Sequence, residues 1–332
     1  MFRKLISAIV LTSAFAAAQT GIRLEHVTYP FPEKQFEFES QQQSLEMCYM
    51  DLSSVDTVSE KAPVLLLHGK NFSGSYFEET ARKLSESGYR VIIPDQIGFG
   101  KSSKPAHYQY SFQQLAMNTK ALLENAGIKG NVHVLGHSMG GMLATRFALM
   151  YPDQTLSLTL LNPIGLEDWK AKGVPYQSID RWYASELGKT AAKIRAYQLD
   201  AYYDNQWKAA YDPWVEQLAS FTESPDYPRM AWNQALTYDM IFTQPVVDEF
   251  PRLKMPVLLI IGQRDRTALG KGSVSAELRA QLGDYPALGR AAKAAIPHAE
   301  LVELDGIGHL PHIESFERFF TPYVGFLDQS NP

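Results

Sequence analysis

Apolar and polar residues alternate near the start of the chain and then give way to short, uninterrupted apolar runs. Residues 36–39 and 45–50 alternate, with polar residues 41–44 between them. This pattern predicts an antiparallel hairpin at the edge of a sheet. The later apolar runs are typical of strands that are buried in a parallel sheet. These buried strands are predicted at residues 63–67, 89–95, 132–135, 156–161, 256–261 and 299–304.

Segments with helical periodicity separate the buried strands. They are predicted at residues 77–88, 112–126, 142–150, 276–295 and 315–327. Strand and helix alternate in units of roughly 30–40 residues, which predicts an α/β fold with a mostly parallel central sheet and helices on both faces. In such sheets the ligand site lies beyond the carboxyl ends of the strands.

Strand patterns are missing from residues 163–251, which are rich in aromatic residues and contain all five tryptophans of the chain. We expect a helical cap here, with most aromatic side chains packing it onto the main domain and a minority lining an apolar pocket. Inside it, Asp212 followed by Pro213 predicts a helix that is capped by the aspartate. The predicted domains are a first part of the core at 19–162, the cap at 163–251 and a second part of the core at 252–332.

The first 18 residues have the pattern of a signal peptide. Arg3 and Lys4 form a short positive region, residues 5–14 are apolar, and three alanines occupy residues 16–18. A membrane anchor or a buried helix is the alternative, but the apolar run is too short to span a bilayer. We therefore expect cleavage after residue 18 and a secreted or periplasmic protein. No later stretch is apolar enough to predict stable membrane insertion after the signal is removed.

Composition narrows the possible partners. The chain has 332 residues, is 45% hydrophobic and 20% charged, and has a net charge of -5. This charge does not favour binding to nucleic acid, for which basic patches are typical. Cys48 is the only cysteine, so no internal disulfide is possible, and its apolar surroundings predict a core residue. No spacing resembles a metal site, no cofactor is expected, and the composition indicates no oligomeric state.

The chemistry is predicted where a buried strand runs into Gly136-His137-Ser138-Met139-Gly140. A helical pattern follows, so this stretch predicts a sharp turn between strand and helix that exposes the hydroxyl of Ser138. Gly136 and Gly140 are expected to be required for steric reasons, because side chains at these positions would crowd the turn.

A serine hydroxyl is a weak nucleophile and needs a base, which in turn needs an orienting acid. Asp265 and His309 both follow predicted strands, so they can meet Ser138 at one edge of the sheet. The weaker candidates are Asp239 and Asp248 for the acid, and His312 for the base. The order serine, acid, histidine is that of the α/β-hydrolase fold.

The sequence resembles the α/β-hydrolase superfamily, in a branch of serine hydrolases with a helical cap. The resemblance is carried by motifs at residues 67–71, 94–102, 136–141, 262–265 and 306–309. It implies that Ser138 is the nucleophile, that His309 takes its proton, and that Asp265 orients the imidazole. It also implies a small-molecule substrate.

By the same resemblance, two backbone N–H groups form the oxyanion hole. One belongs to Met139, and the other to Lys70, with Asn71 as the second choice. The side chain of Lys70 is unusual at this position. It could bind a carboxylate of the substrate, or it could point to solvent, which we favour.

Three other histidines and one aspartate are expected to be structural. His68 and His137 lie in family motifs, where such residues shape the loop and the turn. His133 is expected to be buried or half-buried in its strand. Asp95 belongs to the family's structural turn at residues 94–102.

By the same resemblance, a serine nucleophile argues against an epoxide hydrolase or a haloalkane dehalogenase, because these relatives use an aspartate as the nucleophile. It favours hydrolysis of a carboxylic ester or lactone, with a short or medium acyl group under the cap. One alternative is hydrolysis of a carbon–carbon bond in a vinylogous diketone. A second, from a different class, is a ligand-binding relative without catalytic activity.

Overall fold

The computed structural model describes residues 21–56 and 61–331. The predicted signal peptide at residues 1–18 lies outside these residues. Within the described part, eight strands form one sheet. They are β1 (Glu33–Ser40), β2 (Gln43–Leu52), β3 (Val64–Leu67), β4 (Val91–Pro94), β5 (Val132–His137), β6 (Thr155–Leu161), β7 (Val257–Gly262) and β8 (Ala299–Leu304).

The sheet is mostly parallel, with the predicted hairpin at one edge. Its strand order is β1-β2-β4-β3-β5-β6-β7-β8. β1 and β2 pair antiparallel up to Ser40 and Gln43, and Gln41 and Gln42 make the tight turn at φ 50° and 60°. β2 is also antiparallel to β4, whereas every pairing from β4 to β8 is parallel. The predicted edge hairpin and parallel core are both confirmed.

Helices flank the sheet and fill the long connection between β6 and β7. They are α1 (Glu78–Glu86), α2 (Phe112–Asn125), α3 (Met139–Met150), α4 (Ile179–Leu187), α5 (Ala191–Ala201), α6 (Asp212–Ser220), α7 (Tyr227–Thr243), α8 (Ala276–Gln281), α9 (Tyr285–Ala295), α10 (Pro311–Glu314) and α11 (Phe316–Ser330).

Both faces of the sheet are buried. Successive side chains of β3 alternate between two apolar cores, with Leu65 and Leu67 in one and Val64 and Leu66 in the other. The first core includes residues of α2, α3 and α9, and the second includes residues of α1 and α11. A strand that is covered on both sides must be apolar at every position, which explains the uninterrupted runs in the sequence.

The connection between β6 and β7 contains α4 to α7. α4 packs against α7 and α5 against α6. The prediction that Asp212 caps a helix is wrong, because α6 begins at Asp212 itself and its N-cap is Tyr211. The carboxylate of Asp212 instead accepts hydrogen bonds from Arg195 Nη1 at 2.7 Å and Trp207 Nε1 at 2.8 Å.

The helical stretch predicted at residues 276–295 is divided into α8 and α9. Gly283 lies between them at φ 70°, and a Cβ there would lie 2.7 Å from the carbonyl oxygen of Arg266. Asp284 then caps α9 by accepting from the N–H of Ala287. α8 ends where Leu282 becomes extended at ψ 137°, and the positive φ that follows, under a neighbouring backbone, requires glycine.

Candidate active site

The turn that carries Ser138 joins β5 to α3 at the carboxyl edge of the sheet. Ser138 has φ 55° and ψ −121°, a backbone conformation that a non-glycine residue rarely adopts. A Cβ on Gly136 would lie 2.1 Å from the carbonyl oxygen of Gly140, and a Cβ on Gly140 would lie 2.1 Å from that of Leu67. The turn is therefore closed only because both positions are glycine.

The structure brings Ser138, His309 and Asp265 together in one hydrogen-bonded row. His309 Nε2 lies 3.0 Å from Ser138 Oγ, and His309 Nδ1 lies 2.6 Å from Asp265 Oδ2. All three residues are buried. Because the carboxylate accepts from Nδ1–H, Nε2 is left without a proton and can accept the one from the serine hydroxyl.

Asp265 is held by more than the histidine. Asn162 Nδ2 donates to Oδ2 at 2.8 Å, and the N–H of Thr267 donates to Oδ1 at 2.8 Å. Burial acts to raise the pKa of the Asp265 carboxyl, but the charge and hydrogen bond of His309, with those two donors, hold it below its usual range. The carboxylate therefore stays ionised in a buried place.

Asn162 was not singled out from the sequence. It follows β6 at φ 36°, and its Oδ1 also accepts from the N–H of Gly262 at 2.9 Å. One side chain thus links the ends of two neighbouring strands to Asp265. Its position gave a usable signal, because it is a polar residue at the end of a buried strand, as Asp265 is.

A second row of hydrogen bonds runs behind the serine. The N–H of Gly69 donates to the hydroxyl of Tyr76 at 2.9 Å, and this hydroxyl lies 2.8 Å from His137 Nδ1. His137 Nε2 lies 2.8 Å from the carbonyl oxygen of His309. The carbonyl can only accept, so Nε2 carries the proton and Tyr76 donates to Nδ1. This row, the Tyr76–His137 relay, connects the loop after β3 to the loop that holds His309.

Burial keeps the relay uncharged. It raises the pKa of the Tyr76 hydroxyl well above its usual range. Burial, with smaller electrostatic effects of the neighbouring imidazoles of His309 and His312, lowers the pKa of His137 well below its usual range. The structural role that we expect for His137 is therefore to join these two loops through uncharged hydrogen bonds. Tyr76 was not predicted, and no sequence pattern marked it.

The alternative acids and base lie in other surroundings. Neither ring nitrogen of His312 has a hydrogen-bond partner among the described residues, and its ring packs edge-on against Tyr76 and His137. Burial lowers the pKa of His312 to about 3. Asp239 accepts from the hydroxyl of Tyr176 at 2.9 Å near the surface, and Asp248 is exposed.

The two predicted oxyanion amides adjoin the serine along the chain and in space. Met139 is the first residue of α3, and the N–H at this position has no acceptor inside a helix. A Cβ on Gly69 would lie 3.0 Å from Ser138 Cβ, so the loop that continues into Lys70 passes directly over the serine. The pairing of these two N–H groups on one oxygen stays a prediction.

The side chain of Lys70 is not where we expected it. Only 8% of the residue is exposed, so the expectation that it points to solvent is wrong. Its Nζ donates to Gln234 Oε1 at 2.7 Å and lies 3.6 Å from the ring centroid of Tyr238. Lysine is rarely buried, and its partners are on α7, far away in the sequence.

The remaining structural expectations can be located. His133 is buried beside Ser157 Oγ at 2.7 Å. His68 Nε2 accepts from the N–H of Gln96 at 3.1 Å. Asp95 accepts from the N–H of Gly74 at 2.7 Å in the turn after β4.

A cavity opens next to Ser138 with about 500 Å³ of empty space. Its walls are mainly aromatic and aliphatic: Lys70, Asn71, Phe72, Ser138, Ile164, Trp169, Tyr197, Tyr202, Tyr238, Ile241, Thr267, Ala268 and Leu269. Tyr202, which follows α5, stacks on the ring of His309 with centroids 4.9 Å apart. The connection between β6 and β7 therefore forms part of the site.

No group of His, Cys, Asp and Glu residues suited to hold a metal ion occurs in the part of the chain that the structure describes. Among the same residues, none of the helices has both the length and the apolar character needed to cross a membrane.

Comparisons with known proteins agree with this architecture. A family model described as alpha/beta hydrolase fold matches residues 62–316. Lipase 1 of Psychrobacter immobilis is 26% identical over 304 residues, which cover 89% of this chain and 88% of the lipase. Lipase 3 of Moraxella sp. (strain TA144) is 26% identical over 306 residues, with 89% of each chain covered.

Solved structures give the same picture. A probable hydrolytic enzyme from Pseudomonas aeruginosa PAO1 is 51% identical and superimposes with a TM-score of 0.90, over 92% of this chain and 97% of that chain. A thermophilic esterase from Thermogutta terrifontis is 21% identical, with a TM-score of 0.69 over 90% of this chain and 100% of that chain. The second likeness is one of fold.

Proposed function

The chain belongs to the α/β-hydrolase fold family, and from this premise we propose that it hydrolyses carboxylic esters or lactones through an acyl-enzyme on Ser138. The observation that carries the proposal is the hydrogen-bonded row from Ser138 Oγ to His309 at 3.0 Å and from His309 to Asp265 at 2.6 Å. A base within hydrogen-bond reach of a serine, itself oriented by a carboxylate, is the arrangement that activates a hydroxyl for acyl transfer.

The first half-reaction forms the acyl-enzyme. Ser138 Oγ attacks the ester carbonyl carbon while His309 Nε2 takes the hydroxyl proton. The N–H groups of Met139 and Lys70 stabilise the negative oxygen of the tetrahedral intermediate. The intermediate collapses, the bond to the alkoxy oxygen breaks, and His309 returns its proton to the leaving alcohol.

The second half-reaction releases the acid. His309 takes a proton from water, whose oxygen attacks the acyl carbon, and the bond to Ser138 Oγ then breaks as the proton returns to the serine. Throughout, Asp265 remains ionised and stabilises the imidazolium. The low pKa of its carboxyl is consistent with this role.

Two features support an ester substrate with an apolar acyl group. The curated relatives named above are lipases, and the cavity beside Ser138 is walled by apolar side chains such as Ile164, Trp169 and Ile241. We propose that residues 163–251 act as a cap that limits the length of the acyl group. Tyr202 is its contact with His309.

We also propose that the enzyme acts outside the cytoplasm after removal of residues 1–18. The support is the sequence pattern of a positive start, an apolar run and small residues before residue 19. Fractionation of cells that express the full chain, with mass spectrometry of the amino terminus, tests this. A protein that keeps residue 1 and stays in the cytoplasm contradicts it.

Labelling and turnover test the catalytic proposal. The wild-type protein is treated with a fluorophosphonate and assayed on p-nitrophenyl esters from acetate to hexanoate, beside Ser138→Ala and the control Ser53→Ala, which changes an exposed serine. We expect labelling and turnover in the wild type and the control. In Ser138→Ala we expect no labelling and a turnover rate that is lower by a factor of about 10⁴ or more.

Three outcomes would contradict the proposal. Unchanged turnover in Ser138→Ala would exclude the acyl-enzyme. Activity confined to a vinylogous diketone would indicate a carbon–carbon hydrolase. A strong preference for long-chain triglyceride would contradict the acyl-length limit.

A further inference from the structure

Lys70 has a buried ammonium group that forms no ion pair with an acidic residue of the described chain. Its only hydrogen bond within these residues goes to Gln234 Oε1, and the face of Tyr238 covers another side. The lysine ion pairs found in the described part of the chain belong to other lysines. An ammonium group has three N–H donors, so Lys70 can form further bonds to an anion.

Gln234 holds the ammonium in a fixed place. Its Nε2 donates to the carbonyl oxygen of Gly98 at 3.1 Å, so Oε1 is the atom that faces Lys70. Gln234 is itself buried on α7. Lys70 also borders the cavity beside Ser138, as does Tyr238, whose ring the ammonium contacts, so the positive charge lies next to the site.

A second cavity adjoins the first and is also lined by lysines. It has about 810 Å³ of empty space, and Asn71, Tyr197 and Tyr238 border both cavities. Lys189 and Lys193 line it together with a single carboxylate, Glu186. Glu186 is paired with Lys189 at 2.7 Å, whereas Lys193 Nζ donates to the carbonyl oxygen of Gly188. The lining therefore has an excess of positive charge.

Buried polar atoms without partners point to a polar ligand in the same cavity. Gln198 is 1% exposed, and neither its Nε2 nor its Oε1 has a hydrogen-bond partner in the described residues. The indole Nε1 of Trp182, which stacks on Tyr238, is also without one there. Buried polar atoms are normally paired, and both residues line this cavity.

We propose that Lys70 and the lysine-lined second cavity form a subsite for a carboxylate on the substrate, so that the preferred substrates are esters with a second, free carboxylate. This inference rests on the proposed function, because it names the class of ester. Burial, with a smaller effect of the charge of Lys189, lowers the pKa of Lys70 to about 7, although Glu186 acts to raise it. A bound carboxylate would favour the charged form and raise this pKa.

Matched pairs of esters test the proposal on the wild-type protein. One pair places the charge on the acyl side, monoethyl glutarate against ethyl valerate. The other places it on the alcohol side, acetoxybutyrate against butyl acetate. We expect kcat/KM for the charged ester to exceed that of its neutral partner about tenfold or more in one of the pairs, which then identifies the side. Equal or lower values for the charged ester in both pairs overturn the proposal.

Lys70→Met connects the preference to this residue. It removes the charge and keeps the backbone N–H, and the readout is the ratio of charged to neutral kcat/KM, whatever happens to either value alone. We expect the ratio to fall about tenfold through a higher KM for the charged ester. In the control Lys293→Met, which removes an exposed lysine from α9, the ratio stays at its wild-type value.

The two proposals fail in different ways. If Lys70→Met lowers kcat/KM by the same factor for both esters of a pair, the proposed carboxylate subsite is wrong, while the proposed ester hydrolysis stands. If Ser138→Ala keeps its activity, the acyl-enzyme itself is wrong. Inhibition of neutral ester hydrolysis by free glutarate gives a second measurement, and an inhibition constant that is the same in the wild type and Lys70→Met contradicts the subsite.

Discussion

At the scale of single residues, the proposed mechanism depends on which atoms of His309 carry protons. Asp265 accepts from Nδ1–H through Oδ2, and Asn162 and Thr267 supply the other donors to the carboxylate. An amide in place of the carboxylate would turn an NH₂ group toward Nδ1, which would favour the tautomer with its proton on Nε2. That tautomer cannot accept the proton of Ser138.

We therefore expect Asp265→Asn to lower kcat on p-nitrophenyl butyrate by about 10⁴, with the fold retained. Steady-state kinetics and circular dichroism measure the two quantities. The matched control is Asp239→Asn, whose carboxylate accepts from Tyr176 near the surface and whose kcat should stay within about twofold of wild type. An Asp265→Asn enzyme with more than about a tenth of wild-type kcat would show that the orienting carboxylate is elsewhere.

Lys70 gives the carboxylate subsite a pH dependence. Its pKa of about 7 lies below the ordinary value of 10.5 because the ammonium is buried, so the free enzyme loses this charge as the pH rises through about 7. The groups that face it are Glu186, Lys189, Gln234 and Tyr238. Substrate carboxylates stay ionised across this range.

Since kcat/KM reports the free enzyme, we expect the ratio of charged to neutral ester kcat/KM to be highest near about pH 6 and to fall as the pH rises to about 9. Taking the ratio cancels the titration of groups that both esters need. In Lys70→Met the ratio should be flat over the same range. A wild-type ratio that rises with pH would contradict the assignment of the charge to Lys70.

The place of a residue in the site could be predicted from the sequence where that residue directly follows a predicted strand. Ser138, Asp265 and His309 each follow a strand pattern, so their convergence follows from a parallel sheet. Asn162 meets the same condition, because it directly follows the apolar run at residues 156–161. The burial of the Lys70 side chain could not be predicted, because it depends on Gln234 and Tyr238, which the sequence places on a distant helix.

At the scale of elements, the Tyr76–His137 relay joins two loops that the sequence keeps far apart. It binds the N–H of Gly69 at one end and the carbonyl of His309 at the other. Tyr76→Phe would leave the Gly69 N–H and His137 Nδ1 buried without partners. Such loss costs about 1–3 kcal/mol of the free energy of unfolding, and it would loosen the loop next to the Lys70 amide.

We expect Tyr76→Phe to lower kcat about tenfold with little change in KM, measured below the unfolding temperature, because a positioning residue affects the transition state more than substrate binding. Tyr323→Phe is the control. Its hydroxyl is also buried but has no hydrogen-bond partner in the described part of the chain, so its loss should be neutral or slightly stabilising. If Tyr76→Phe and Tyr323→Phe have the same unfolding temperature and the same kcat, the relay does not position the two loops for catalysis.

Element boundaries were predictable where a local rule decides them and not elsewhere. The turn between β1 and β2 and the strand β8 follow from residue patterns. Gly283 passes under the backbone of Arg266 between α8 and α9, and the carboxylate of Asp212 bonds to Arg195 and Trp207 instead of capping α6. Both require contacts that residue spacing does not contain.

At the scale of the whole molecule, the class of sheet was predictable, whereas the order of its strands was not. Alternating strands and helices imply a parallel sheet with two cores, and residues of β3 contribute to both. The position of β3 between β4 and β5 depends on crossovers that any βαβ sequence could make in more than one order. The packing of α4 to α7 likewise depends on aromatic contacts between distant residues, such as Trp182 and Tyr238.

With one cysteine and no internal disulfide, the two apolar cores must supply the stability of the fold, and Cys48 can report it. This thiol lies on β2 between β1 and β4, fully buried. Burial first, and then the carboxylates of Asp95 and Glu33, raise its pKa to about 12. The thiolate is the reactive form, so the native protein holds Cys48 in its least reactive state.

We expect Ellman's reagent to label native protein at least about 10³ times more slowly than protein in concentrated guanidinium chloride, at a rate set by opening of the fold. Adding reductant should leave the unfolding temperature unchanged. A series of denaturant concentrations below the unfolding midpoint separates global from local opening, because labelling through global opening accelerates with the full denaturant dependence of unfolding. Fast labelling without denaturant would mean that the β1–β2 hairpin opens alone, and the sheet edge would then be a separate unit of stability from the parallel strands that carry the site.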